Sequence, residues 1–113
     1  MATAFEIKDG VGLVSISGPL TAGQVDAFRA EFNDWHNGGE VFRNVVIDCH
    51  GIEFMDSSGL GALIALLKRV SERGGDLKLA RLPKKVRMVF EVTSAYKIFQ
   101  IYDTVGEALK ACR

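Results

Sequence analysis

Apolar and polar residues alternate in some parts of this sequence and repeat every three or four positions in others. Alternation is typical of strands, and a short apolar run rich in β-branched residues is typical of a strand buried on both faces. Five segments show one of these patterns and are predicted strands: residues 5–8, 12–17, 45–47, 77–82 and 98–102. The Asp9-Gly10 pair predicts a hairpin between the first two, and Gly18-Pro19 is expected to end the second. Residues 48–51 are expected to lead out of the central strand, with only a short bridge at 52–55.

Spacings of three and four residues between apolar positions predict four helices, of which the first follows the opening hairpin. It is expected to begin at Thr21, whose side chain forms a capping box with Gln24, and to end at the glycine-rich run 37–39. Its inward-facing residues are predicted to be Val25, Phe28, Phe32 and Trp35. His36 falls in the last turn, where we expect a solvated side chain.

The second helix is predicted over residues 58–73, the third after Pro83, and the fourth after Thr104, which forms another capping box with Glu107. The residues expected to face the core are Leu60, Leu63, Ile64 and Leu67 in the second helix, Val86, Val89 and Phe90 in the third, and Val105, Ala108 and Leu109 in the fourth. Strands that alternate with helices predict an α/β fold with a mostly parallel central sheet, to which the hairpin adds an antiparallel edge strand. At 113 residues, the chain is predicted to form one domain over 1–113, with about four helices.

The charge balance argues against a nucleic-acid partner. The chain has 14 basic and 14 acidic residues, and no long run carries one sign. The densest basic group, Arg81, Lys84, Lys85 and Arg87, is more typical of a solvated face than of a phosphate-binding track. We therefore expect no direct contact with nucleic acid.

Cys49 and Cys112 are far apart in sequence and form no C-x-x-C pair. Neither a zinc site nor a redox motif is predicted, and no metal or cofactor is expected. Residues 1–8 lack the pattern of a signal peptide, and the longest apolar stretch, 60–67, is much shorter than the roughly 20 residues of a membrane span. These features predict a cytoplasmic protein with no membrane insertion.

The run Asp56-Ser57-Ser58-Gly59-Leu60-Gly61, here called the 56–61 segment, is unusual for a turn from a buried strand into a helix. Such turns lie at the carboxyl end of a parallel sheet, where binding sites concentrate. Any of its first three residues could cap the helix, and each glycine inside a helix costs about 0.5–1 kcal/mol relative to alanine. Either crowding in the core or a closely approaching partner must offset that cost.

Catalysis is not predicted from these residues. The 56–61 segment is not the G-x-S-x-G of a serine hydrolase, and it lacks the Gly-Lys-Ser/Thr ending of a P-loop. His36 and His50 are the two histidines of the chain, and neither has an evident aspartate partner to orient it as a general base. The sequence therefore favours a binding module over an enzyme.

The run Val45-Val46-Ile47-Asp48, followed by Phe54-Met55 and the 56–61 segment, resembles the signature of STAS domains, and most of all that of the anti-sigma factor antagonists. The resemblance extends over nearly the whole chain. Similar residues fall in the same order at Gly74-Gly75-Asp76-Leu77, Pro83-Lys84-Lys85-Val86, Phe99-Gln100-Ile101-Tyr102 and Glu107-Ala108-Leu109.

This resemblance implies a partner-switching cycle. The unphosphorylated antagonist binds an anti-sigma factor, which is also a serine kinase of the GHKL type, and so releases a sigma factor. The kinase phosphorylates the serine directly after the aspartate, which is Ser57, with Ser58 the less favoured acceptor. A PP2C-type phosphatase reverses the modification. The positions implied for partner binding are Leu20, Thr21, Asp56, Ser57, Ser58, Gly59, Gly61, Ala62 and Leu66.

The sequence departs from the family pattern at two places. Thr21 stands where the family often has an acidic residue that helps to contact the kinase, and Thr93-Ser94-Ala95 replaces a Ser-Gly-Leu or Thr-Gly-Leu, which is expected to be a local change in a loop. On the outer side of the second helix, Ala62, Leu66 and Arg69 are expected to lie off the core, although a buried Leu66 is equally compatible with the pattern.

Two other functions are compatible with the sequence. One is a STAS subunit of a stressosome or of a lipid ABC transporter, acting through protein contacts without phosphorylation. The other is a small module that binds a nucleotide or anion at the start of the second helix.

Overall fold

The computed structural model of the protein describes residues 1–39 and 42–112, so the predicted domain boundary at Arg113 lies outside the described residues. The elements follow the chain as β1 (Ala2–Lys8), β2 (Val11–Leu20), α1 (Val25–His36), β3 (Val45–Met55), α2 (Ser57–Glu72), β4 (Leu77–Ala80), α3 (Lys84–Val92), a 3₁₀ turn (Ala95–Lys97), β5 (Gln100–Tyr102) and α4 (Val105–Ala111). None of these helices is both long enough and apolar enough to cross a membrane.

The strands form one sheet in the order β1-β2-β3-β4-β5. β1 runs antiparallel to β2, and the other three neighbouring pairs are parallel. The hairpin between β1 and β2 has positive φ angles at both Asp9 (55°) and Gly10 (78°), which is the pattern of a tight type I′ turn. The predicted α/β class, with a mostly parallel sheet and an antiparallel edge strand, is confirmed.

The two faces of the sheet are covered unequally. The larger core lies between one face and helices α1, α2 and α3, where Phe28, Phe32, Leu63 and Phe90 are among the buried side chains. The smaller core lies on the other face, under α4, and contains Val11, Leu13, Val46, Ala80, Ala108 and Leu109. Val45, Val46 and Ile47 are fully buried, which confirms the prediction of a central strand covered on both sides.

Strands β2 and β3 are longer than predicted. Gly18-Pro19 does not end β2, and the presumed bridge at 52–55 is part of β3. The extra length is paired strand, since Pro19 lies opposite Phe54 and Leu20 opposite Met55. A register shift between Gly18 and Pro19 accommodates the proline, which has no N–H to donate to a regular ladder.

The last two strands are shorter than predicted. β4 ends at Ala80 and β5 begins at Gln100, with a 3₁₀ turn before it that the sequence pattern did not predict. Leu82 and Phe99 lie outside the strands but are buried. Burial therefore continues past the ends of the hydrogen-bonded ladder, and the apolar pattern overestimated the strand lengths.

Helix α1 begins at Val25 with Gln24 as its N-cap, three residues after the predicted N-cap Thr21. The expected pair does form, because the backbone N–H and the hydroxyl of Thr21 both donate to Oε1 of Gln24, over 3.1 and 2.6 Å. These bonds close a turn before the helix, and Thr21 is not its N-cap. Phe28 and Phe32 are buried, with Val25 and Trp35 half-buried against the core, as predicted for this stripe.

The expectation of a solvated His36 is wrong. Its side chain is 8% exposed, and its Nδ1 accepts a hydrogen bond of 2.9 Å from Nε of Arg69 on α2. Burial, followed by the nearby charges of Arg73 and Arg69, lowers the pKa of His36 to about 4. The imidazole is therefore neutral at physiological pH and acts as a packed hydrogen-bond acceptor between α1 and α2.

The third and fourth helices agree with the sequence pattern. Pro83 is the N-cap of α3, and Thr104 is the N-cap of α4, its hydroxyl accepting from the backbone N–H of Glu107 over 3.1 Å. After α3, Ser94 has a φ of 59°, in the left-handed region that favours glycine. The loop change predicted there thus places a serine in a conformation that suits the glycine of the family pattern.

Candidate functional site

The 56–61 segment lies at the carboxyl end of β3, where α2 begins. Because Leu20 and Met55 are paired at the ends of β2 and β3, the loop that follows β2 meets the start of α2 at this edge of the sheet. The structure therefore brings together two segments that are more than 30 residues apart in sequence. This edge is the usual location of binding sites in parallel sheets.

Asp56 is the N-cap of α2 and also joins the two segments. Its Oδ1 accepts from the backbone N–H of Gly59 over 3.0 Å, and its Oδ2 accepts from the backbone N–H of Ala22 over 3.2 Å. These hydrogen bonds, above all the one from Gly59, hold the pKa of Asp56 below its usual value. Of the three possible caps in the sequence, the structure therefore assigns the role to Asp56.

The two serines after Asp56 are left free of the capping role. Ser57 is the first residue of α2 and its side chain is exposed, whereas Ser58 is half-buried. The Ser57 hydroxyl makes no hydrogen bond to any other residue that the structure describes. It lies in solvent at the positive end of the helix dipole, where an attached anion is favoured.

The two glycines of the segment have different surroundings. A Cβ on Gly59 would lie 2.1 Å from the carbonyl oxygen of Leu20 and 3.0 Å from Cγ of Met55. A Cβ on Gly61 would have no neighbouring atom within 4 Å. Crowding in the core therefore explains Gly59, whereas Gly61 leaves the helix backbone open to solvent and has no packing role.

The outward face of α2 differs from the expected one. Ala62 and Leu66, expected off the core, are only 3% and 1% exposed, whereas Ile64, expected inside, is 37% exposed. The reason is that α2 contacts α1 and α3 as well as the sheet, and that Gly59 sits directly on the end of β2. The exposed positions Ser57, Gly61, Ile64 and Lys68 follow one another at helical spacing and are called the α2 outer stripe.

Five of the nine sequence-predicted partner-binding positions are thus accessible at this edge. Those with some exposure are Thr21, Asp56, Ser57, Ser58 and Gly61. Leu20, Gly59, Ala62 and Leu66 are buried beneath them, so they support the surface without being available as contact side chains. Ile64 was missed as a surface residue, although its spacing of seven from Ser57 places both on one helix face.

The chemistry available here is that of an accessible hydroxyl beside a carboxylate at the start of a helix. Across residues 1–39 and 42–112, no three His, Cys, Asp or Glu side chains cluster closely enough to hold a metal ion. The site thus offers an exposed surface that carries an accessible hydroxyl.

Comparisons with known proteins match this architecture. The family model of the STAS domain matches residues 2–108. The anti-sigma-B factor antagonist of Bacillus subtilis is 36% identical over 88 residues, which are 78% of each chain. The crystal structure of an anti-sigma factor antagonist from Mycobacterium paratuberculosis superposes with a TM-score of 0.87 at 28% identity, covering 99% of this chain and 93% of that one.

The anti-sigma factor antagonist SpoIIAA, solved in its unphosphorylated form, has the same fold, with a TM-score of 0.80 at 22% identity over 97% of this chain and 95% of that one. Because the family model spans nearly the whole chain and the Bacillus subtilis antagonist matches most of it, this chain is a member of the STAS domain family, in its anti-sigma factor antagonist branch.

Proposed function

We propose that this protein is a cytoplasmic anti-sigma factor antagonist whose binding is switched by phosphorylation of Ser57. In its unphosphorylated form it binds an anti-sigma factor that is also a serine kinase of the GHKL type, and a sigma factor is released. The kinase then phosphorylates Ser57, which ends binding, and a PP2C-type phosphatase restores the active form. The protein acts by binding, with its partner supplying the catalysis.

The state of the Ser57 hydroxyl is the observation that carries this proposal. Asp56 already caps α2 and holds the loop that follows β2, so the serine beside it is needed for neither contact. An exposed hydroxyl without a hydrogen-bond partner among the described residues can enter the active site of a kinase without any part of the domain unfolding. Ser58 is half-buried, and this favours Ser57 as the acceptor.

Phosphate on Ser57 should leave the fold intact. It lies at the helix N-terminus, where an anion is favoured by about 0.3–1 kcal/mol at an exposed site. It adds about −1.5 to −2 charges beside Asp56, whose pKa is already low and which therefore stays ionised.

The effect of the phosphate falls on the partner. A protein docked over the start of α2 must desolvate or repel the new charge, at a cost of roughly 2–4 kcal/mol at an interface. That cost weakens binding on the order of 30- to 1000-fold. The switch thus needs no large conformational change in this domain.

The test is to incubate the protein with each GHKL-type kinase encoded in the same genome and ATP, and to map the phosphate by mass spectrometry. We expect one kinase to modify Ser57 and to bind Ser57→Asp at least about 30-fold more weakly than the unmodified protein. The matched control is Ser58→Ala, which should remain a substrate, whereas Ser57→Ala should not. Phosphorylation of neither serine, together with unchanged partner binding by Ser57→Asp, would exclude the switch.

A further inference from the structure

The α2 outer stripe contains one large apolar side chain. Ser57, Gly61 and Lys68 are polar or lack a side chain, whereas Ile64 presents a branched aliphatic group to solvent. At 1.5 Å per residue, Ile64 lies about 10 Å along the helix from Ser57, and Lys68 lies about 6 Å further. A single partner surface can therefore contact the hydroxyl of Ser57, the side chain of Ile64 and the ammonium group of Lys68 together.

Gly61 leaves a depression in the stripe between Ser57 and Ile64. Since a Cβ at this position would meet nothing within 4 Å, the glycine is not explained by packing inside the domain. A glycine at an exposed position in a helix costs about 0.5–1 kcal/mol relative to alanine. A partner that contacts both Ser57 and Ile64 would lie directly against the helix backbone between them, and this accounts for a glycine at position 61.

We infer that Ile64 is a specificity-determining contact for the kinase-type partner, with an apolar pocket on that partner about 10 Å from its phosphoryl-transfer site. The inference rests on the function proposed above. Insertion of Ile64 into the pocket sets the register of α2 on the kinase and brings the Ser57 hydroxyl to ATP. An acidic group on the partner faces Lys68 at the far end of the stripe, which orients the helix.

Continuity along one helix is what distinguishes Ile64 from the other exposed apolar residues. Among the described residues these are Met1 before β1, Phe54 on β3, Met88 and Val92 on α3, Tyr96 in the 3₁₀ turn, and Ile98 between that turn and β5. These side chains are more exposed than Ile64, but they do not belong to the helix face that carries Ser57. They provide controls for a nonspecific loss of hydrophobic surface.

The experiment measures steady-state phosphorylation of the full chain by its kinase, with KM and kcat determined separately. Ile64→Ala is expected to raise KM about tenfold and to leave kcat within about twofold, because the side chain helps to hold the substrate and takes no part in the chemistry. The matched control is Ile98→Ala, which removes the same atoms from a side chain that is 53% exposed and should leave both constants unchanged. Thermal unfolding of both variants checks that the fold is retained, which is expected because alanine is the better helix former at position 64 and Ile98 is more than half exposed.

The possible outcomes separate the two proposals. An unchanged KM for Ile64→Ala, with Ser57 still phosphorylated, overturns the role of Ile64 and leaves the switch standing. A rise in KM for Met88→Ala in place of Ile64→Ala moves the contact to α3 and also overturns it. An equal rise in KM for Ile98→Ala also overturns the role of Ile64, because it shows that the effect is nonspecific. If no kinase phosphorylates the unmodified protein, both proposals fail together.

Discussion

Alanine substitutions at Gly59 and Gly61 should change the stability of this protein in opposite directions, although both residues lie near the start of α2. At Gly59 the new Cβ would lie 2.1 Å from the carbonyl oxygen of Leu20, where contacts under 3.0 Å essentially never occur. The start of α2 and the end of β2 must therefore move apart by about 1 Å. That movement also strains the hydrogen bond between Asp56 and Ala22 that joins the two segments.

The expected magnitudes follow from these surroundings. Overpacking a rigid site costs typically 1–3 kcal/mol, of which the helix propensity of alanine recovers about 0.5–1 kcal/mol. The clashing atom is a backbone oxygen, which moves less easily than a side chain, so the cost lies near the upper end of this range. Gly59→Ala is thus expected to lower the free energy of unfolding by about 2 kcal/mol. Gly61→Ala meets no atom and should raise the free energy of unfolding by about 0.5–1 kcal/mol.

Urea unfolding followed by the fluorescence of Trp35, the single tryptophan, measures both effects in one assay. The two midpoints should move to opposite sides of the wild-type value, with similar m-values in all three proteins. A lower midpoint for Gly61→Ala, or a wild-type midpoint for Gly59→Ala, would refute the reasoning from backbone crowding. If the partner lies along the α2 outer stripe as proposed, the more stable Gly61→Ala should also bind it more weakly.

Two further predictions concern His36 and Ser94. The pKa of His36 is about 4 in the folded state and 6.5 in the unfolded state. The stability that His36 contributes is therefore complete above pH 6.5 and is lost as the pH falls towards 4. Between pH 7 and pH 5 the free energy of unfolding should drop by about 2 kcal/mol. Urea unfolding at both pH values should show this drop in the wild type and in the exposed-site control His50→Gln, and an equal drop in His36→Gln would contradict the assignment. Ser94→Gly should raise the free energy of unfolding by about 0.5–1 kcal/mol, since the left-handed φ of 59° is strained for serine, and a lower melting temperature in differential scanning calorimetry would speak against it.

The local patterns in the sequence were sufficient for the order and type of most elements. The turn residues Asp9 and Gly10 both need positive φ angles, and few other pairs accept them so readily. Thr104 and Glu107 satisfy each other within one turn of α4, so their bonds depend on no distant residue. Features of this kind are decided by neighbours along the chain, which is why they could be predicted.

The length of β3 and the position of Thr21 depended on contacts that are remote in sequence. The pairing of β2 with β3 extends both strands to Leu20 and Met55, past a glycine and a proline that read locally as a strand end. The Thr21 pair with Gln24 formed as expected, but it closes a turn, and α1 starts only at Val25. Strand pairing overrode the local signals in this region.

At the candidate site, too, some features follow from the local sequence and others depend on contacts that are remote in sequence. By itself the sequence determined that Asp56, two serines and two glycines stand at the start of a helix after a buried strand, and the family resemblance singled out Ser57. Only the tertiary structure decided that Asp56 is the cap, that Gly59 is packed while Gly61 is bare, and that Ile64 in place of Leu66 reaches solvent. The physical reason is that the sheet and the two other helices in contact with α2 decide which side of it is buried, and the positions of those elements are not written in the helix's own sequence.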